Sequence, residues 1–381
     1  MRRPQLIEAF KPFRNSVLKG HGFRAPWPDT NRALSPLTEL GFKCTGIAAM
    51  ASRQTLAPLL RVLPFASKIL EASMYLYLRL SVISLLLALD LAAQTNNVAQ
   101  RLGYLADAKL LILHADDLAV AHSVNTASFD ALNSGAVSSA SIMIPCPWLT
   151  EVADYGKHHP NADLGLHLTL TSEWKTYRWG SVAPNDKVAS LLESDGTFYS
   201  TTEEVRANAY PADAEREIRA QIERAIAVGI HPTHLDSHMG SLFSKPEFIA
   251  AYIKVAHDFK LPFLALKPAD ARAPFLSLLS STDVMLDAIV IVPPGLRADQ
   301  TTEFYLNAIK NLKPGLTEMI VHLGHDDSEL QAVMVDHEDF GAAWRQRDYD
   351  IVNSPLFKQA LRDNHVILVH WKDLQKIAYP N

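Results

Sequence analysis

Residues 109 to 117 read KLLILHADD, an apolar run that ends on two adjacent carboxylates. A short continuous apolar stretch is what a strand covered on both faces requires, and such strands end where the chain meets water. Asp116 and Asp117 are therefore expected at the C-terminal mouth of a buried strand. The competing reading has one aspartate capping the next helix and the other solvated, so the rest of the chain must decide. Downstream, SASIMI (139–144), ADLGLHLTL (162–170), PTHLDSH (232–238), PFLALK (262–267), GLTEMIVHLGH (315–325) and HVILVHW (365–371) continue as strand-like segments. Helical patterns separate them: VNTASFDALNSG (124–135) with Ser123 as N-cap and Gly135 as stop, a helix opened by Pro147 and running to His158, AEREIRAQIERAIAVG (214–229), and a helix near Pro355 to Arg362. Parallel strands joined by helices build an open doubly wound sheet or a (β/α) barrel. No glycine fingerprint for a dinucleotide is present, and the α/β class with a (β/α) barrel is the expectation.

Composition narrows the chemistry. The chain has 381 residues, 48% of them hydrophobic, enough for a large core, and a formal net charge of -5 gives no electrostatic reason for a nucleic-acid partner. With only Cys44 and Cys146, neither a disulfide framework nor a cysteine-rich zinc site is available. A metal would have to be held by His, Asp or Glu, and there are 15 histidines.

The first hundred residues follow another pattern. Residues 1–73 show no strand and helix alternation and are assigned no fold. From Met74, MYLYLRLSVISLLLALDLAAQ places Arg79 before a mostly apolar stretch that closes on Leu91, Ala92 and Ala93. That is the order of a secretory signal over 74–93, with a membrane-anchoring or buried helix as the alternative, since Asp90 interrupts the run. On the signal reading translation starts at Met74, the mature domain spans 94–381, and the protein is exported to the periplasm or secreted.

Polar residues stand at the ends of four predicted strands: Asp116 and Asp117, His167 in GLHLTLT, His234 to His238 in HLDSH, and His322 in VHLGHDD. In a parallel α/β architecture these ends converge on one face. Singly, each histidine is a hydrogen-bonded core residue; four together point to a metal or catalytic site. Residues two apart on a strand share a face, so His234, Asp236 and His238 point the same way. One divalent ion can be gripped by His167, His238 and a carboxylate of the Asp pair, with positions open for water and substrate, which is a catalytic rather than a structural arrangement. His234 and Asp236 then suit the supporting shell that orients ligands.

HADDLAVAHSVN, GLHLTLT, PTHLDSH and VHLGHD, in this order, resemble the YdjC-like carbohydrate deacetylase family over about residues 108 to 375. The resemblance implies a distorted (β/α) barrel and a divalent-metal hydrolase that removes acetyl groups from N-acetylated amino sugars or oligosaccharides. By position it implies Asp117, His167 and His238 as metal ligands, Asp116 as general base and His322 as general acid or transition-state donor. Zn or Mg heads the candidate ions. His114 stands where the family often has Asn, and Met239 and Gly240 follow HLDSH where many members carry further histidines.

The chemistry suits that reading. An amide is a poor electrophile and water a poor nucleophile, and a divalent ion improves both. His322, with an ordinary imidazole pKa, would return a proton to the departing amine. Trp174, Tyr177 and Trp179 follow a catalytic strand and are candidates for stacking on sugar rings; the alternative is that they pin a long loop. Trp148 and Trp371 read as core. The expected partner is an N-acetylated carbohydrate, with no nucleic acid and no membrane partner required, and a homo-oligomer left open. Two other functions compete: a metal-containing sugar-binding protein without catalysis, which the presence of Asp116 disfavours, and a metal-dependent esterase on the same scaffold.

Overall fold

A computed structural model of the chain describes residues 97–380. The segment 74–93 read as a signal, like residues 1–73, lies outside the described residues. Among the described residues no helix is long and apolar enough to cross a membrane.

Seven parallel strands form one curled sheet: β1 (Lys109–Leu118), β2 (Ser139–Ile142), β3 (Leu164–Leu168), β4 (Leu235–Ser237), β5 (Ala288–Ile291), β6 (Gly315–Val321) and β7 (Val366–Leu368). The order is β4-β3-β2-β1-β6-β5. β7 pairs with the first residues of β1, whereas β2 pairs with its later ones. The expected barrel is present in distorted form. The regular ladder is open between β4 and β5, and the irregular segment 262–267 spans the gap. Leu264 donates its N–H to Leu235 O at 2.8 Å, and Leu286 donates to Ala265 O at 2.8 Å.

β1 is buried from Leu110 to its end, as its uninterrupted apolar run requires of a central strand. Helices Leu149–His158, Pro211–Ala227, Pro246–Phe259 and Pro355–Asp363 pack their apolar faces on this sheet. Three of the four open on or just after a proline or a serine cap, since the lost N–H costs nothing in the first turn. β1 runs on through both aspartates to Leu118, whereas the strands at 139–144, 162–170, 232–238, 315–325 and 365–371 are shorter than the sequence suggests. The helix after β1 spans His122–Asn133 with Ala121 at its N-cap, and Ser123 does not cap it. The Ser123 hydroxyl instead bonds Asp327 and Glu329, both at 2.7 Å, tying the β1 exit to the loop after β6.

His234, Asp236 and His238, the middle one on β4 and the other two flanking it, turn inward on one side, the shared face expected from their spacing. His234 is fully buried, stacked on Trp371 with centroids 4.9 Å apart and edge-on to His114 at 5.1 Å. Its ring occupies the space a side chain on Gly165 would need, so a Cβ there would fall inside the imidazole. We expect Gly165→Ala to lower stability by about 1–3 kcal/mol, the range for overpacking a rigid core. Urea unfolding checks this, and an unchanged midpoint would show that His234 can yield.

Candidate metal centre

The strand ends meet as a cluster at the barrel mouth. β1 supplies Asp116 and Asp117, β3 supplies His167, and His238 and His322 directly follow β4 and β6. The two aspartates, His167 and His238 are buried, and the His322 side chain is 13% exposed. Local backbone geometry turns the aspartates apart. The register between β1 and β2 slips between Ala115 and Leu118, and Asp117 and Ala119 take left-handed φ values of 73° and 75°.

Asp117 Oδ2 accepts a hydrogen bond from Arg345 Nη2 at 2.7 Å. Its Oδ1 is buried, accepts none, and lies 3.4 Å from both His167 Nε2 and His238 Nδ1. The other nitrogen of each ring is held by a carboxylate: His167 Nδ1 by Asp236 Oδ1 at 2.7 Å, His238 Nε2 by Glu173 Oε2 at 3.0 Å. These outer contacts fix each imidazole so that its inner nitrogen faces Asp117, the arrangement that supports histidine ligands to metals. A donor separation of 3.4 Å matches the edge of a tetrahedron with bonds of about 2.1 Å, the length typical of zinc sites. The orphaned Oδ1 and the two tethered imidazoles therefore fit a divalent ion. Among the described residues, Asp117, His167 and His238 form one of three His/Asp clusters able to hold one, their donor atoms all within 4.8 Å; the others, which share members, are His114, His234, Asp236 and Asp116, His167, Asp236.

Charges follow this geometry. Burial works against a charge on His238, but Glu173 and Asp117 outweigh it and raise the imidazole to about 10. Burial likewise opposes charging His167, and Asp236 and Asp116 overcome it, leaving its pKa raised. Asp117 resists protonation despite burial because the Arg345 guanidinium holds its pKa well below the ordinary value. His322 behaves oppositely: burial pushes it down to about 4, with Asp117 and Asp116 offsetting only part. The ordinary imidazole value expected from the sequence is thus corrected, and His322 is neutral at physiological pH. Its backbone N–H bonds Asp348 Oδ2 at 3.2 Å, and burial raises that carboxyl to about 7.

The structure brings Asp116, Asp117, His167, His238 and His322 together, with Asp236 directly behind His167 and His234 one layer lower. Trp174 and Trp179 are buried, Tyr177 partly so. Their rings pack on one another at 5.6 to 6.1 Å, and the Tyr177 hydroxyl bonds Val120 O at 2.8 Å, so they tie the loop to the β1 exit. Trp371 is core as expected, whereas Trp148 is 37% exposed beside His122, which corrects its assignment to the core. Sequence reasoning missed Glu173 and Arg345 as partners of His238 and Asp117. Glu173 lies in the loop that follows β3, which is a signal; for Arg345 the only one is that a buried aspartate demands a cation.

The family described as YdjC-like protein matches residues 110–363. The chain belongs to the YdjC-like family. A carbohydrate deacetylase of Thermus thermophilus is 29% identical over 291 residues, spanning 74% of this YdjC-like chain and 100% of that protein. A carbohydrate deacetylase of Thermoanaerobacter pseudethanolicus is 26% identical over 267 residues, spanning 70% and 100%. An Enterococcus faecalis crystal structure, provisionally described as a cellobiose-phosphate cleavage protein, superposes with a TM-score of 0.61 at 21% identity, covering 70% of this chain and 99% of that one, which shows a shared fold. With His/Asp clusters able to hold an ion among its described residues, the YdjC-like chain is a metal-associated hydrolase scaffold of the deacetylase type.

Two outcomes are expected. Glu173→Gln removes the charge behind His238 and should weaken metal affinity roughly 10- to 100-fold, read by competition with a chelating dye. Parent-like affinity would separate Glu173 from the centre. Because an ion must displace the proton that His238 holds up to about 10, apparent affinity should rise with pH between pH 6 and 9, by about tenfold per unit for each proton released. A flat profile in calorimetry would contradict this.

Proposed function

We propose that the protein is a metal-dependent deacetylase that removes acetyl groups from N-acetylated amino sugars or their oligomers. The observation that carries this is the division of labour within the Asp pair. Asp117 is committed to Arg345 and the two histidines, while Asp116 turns its Oδ2 to the space between His167 Nε2 and His322 Nε2, at 3.8 and 3.9 Å. The names of the relatives support the substrate class.

Asp117, His167 and His238 would hold the ion, and two imidazoles with one carboxylate suit zinc-like transition metals better than Mg. When bound, the ion supplies Lewis acidity to the acetyl carbonyl and acidifies the attacking water. Asp116 takes the proton as the water oxygen bonds to the carbonyl carbon. Neutral His322 has one N–H and one free nitrogen, so it relays the proton to the nitrogen as the C–N bond breaks. Acetate and the free amino sugar are the products. The bulk of the barrel beneath shields these charges from water, which strengthens each interaction.

The decisive experiment is acetate release from N-acetylglucosamine, its β-linked oligomers and peptidoglycan fragments, with a chelator as control. Turnover that a chelator abolishes and added zinc restores is expected; chelator-insensitive turnover, or none on any N-acetylated sugar, would overturn the proposal. Asp116→Asn should keep the metal and lower kcat by roughly 10²- to 10⁴-fold. Asp117→Asn should lose metal and turnover together. Parent-like turnover in Asp116→Asn would return that residue to a structural part.

A further inference from the structure

His114 belongs to none of the contacts around Asp117, yet one of its nitrogens meets three oxygens. Nε2 lies 3.0 Å from Ser141 Oγ, 3.1 Å from Asp116 Oδ1 and 3.1 Å from Asp236 Oδ2. The ring is fully buried and wedged edge-on against His234, which is itself stacked on Trp371. It has no room to turn away. The Ser141 hydroxyl gives its hydrogen to Asp116 Oδ1 at 3.3 Å, so its oxygen accepts the Nε2 hydrogen, while Asp116 Oδ1 and Asp236 Oδ2 stand in ion-pair contact around the same nitrogen.

The consequence lies in which oxygen each carboxylate has left. Asp116 Oδ1 is engaged by His114 and Ser141, so Oδ2 is the oxygen turned to His167 and His322. Asp236 Oδ2 is engaged by His114, so Oδ1 is the one on His167 Nδ1 at 2.7 Å. A single ring nitrogen thus sets the rotation of two carboxylates, one beside His322 and one behind His167. We propose that His114 is a positioning residue of the reaction: with Nε2–H donated to Ser141, which holds Asp116, and with Asp116 and Asp236 both in contact with the same nitrogen, it locks the base and the carboxylate behind His167 into one mutual orientation. This rests on the deacetylase reading, in which Asp116 accepts the proton of the attacking water.

The test compares His114→Gln, whose amide nitrogen reaches the position of Nε2, with His114→Phe and His114→Leu, which fill space but donate nothing. Zinc stoichiometry, kcat and KM are measured for zinc-loaded full-length protein on a β-linked N-acetylglucosamine oligomer. Both apolar variants are expected to lower kcat roughly 10- to 100-fold, the usual cost of losing such support. KM should stay within about threefold and zinc binding should be kept. His114→Gln should recover most of the lost kcat, and that recovery is what a packing role would not produce. Parent-like kcat in a folded apolar variant, or a glutamine variant as impaired as the apolar ones, overturns the inference. A parent protein that releases no acetate is seen before any variant is made, and it overturns the deacetylase reading and this inference with it.

Discussion

The ion pair between Arg345 and Asp117, at 2.7 Å and almost wholly buried, is the contact on which the centre depends. Removing one partner of such a pair leaves an uncompensated charge in the interior, at a cost of about 3–5 kcal/mol. The pair keeps Asp117 ionised, and it also spends only Oδ2. Oδ1 is left bare at the point where two imidazole nitrogens converge. A strained backbone holds it there, since a left-handed aspartate costs of order 1–3 kcal/mol that surrounding contacts must offset.

The helix Ala342–Asn353 contributes twice, because Arg345 and Asp348 are neighbours across one turn. Arg345 grips the Asp117 side, and Asp348 receives the backbone N–H of His322. The last strands of the barrel and this helix thus set the spacing between Asp117 and His322 together. Below them the polar groups are stacked inward along β1 and β4 rather than replaced by apolar side chains. A buried network gains stability only as its members find partners, and here His114, Ser141 and Asp236 share theirs closely while His114 Nδ1 and His234 Nε2 find none.

The sequence disclosed what periodicity and strand ends can encode. Alternation revealed the barrel class, the apolar run of β1 revealed the central strand, and the two-residue spacing in HLDSH revealed the inward face of β4. It overextended strands such as 162–170, seen as Leu164–Leu168, because residues past the last ladder bond keep their apolar character without keeping a partner. Partnerships between distant segments left no local mark. Arg345 is 228 residues from Asp117, and Glu173 is 65 from His238. Local chemistry suits Ser123 as a helix cap, but two carboxylates from the segment after β6, Asp327 and Glu329, take its hydroxyl. The pKa of His322 was invisible for the same reason: burial is a property of the whole fold.

The irregular arc at 262–267 makes the barrel a ring with a seam. Every strand that carries a member of the centre, β4, β3, β1 and β6, lies on the continuous ladder that runs the other way around, with β2 between β3 and β1. The arc meets that ladder at β4, where Leu235, the neighbour of Asp236, bonds Pro262 and Leu264 on one side and pairs with Leu166 of β3 on the other. Closing the ring and setting Asp236 behind His167 are therefore the work of one short strand.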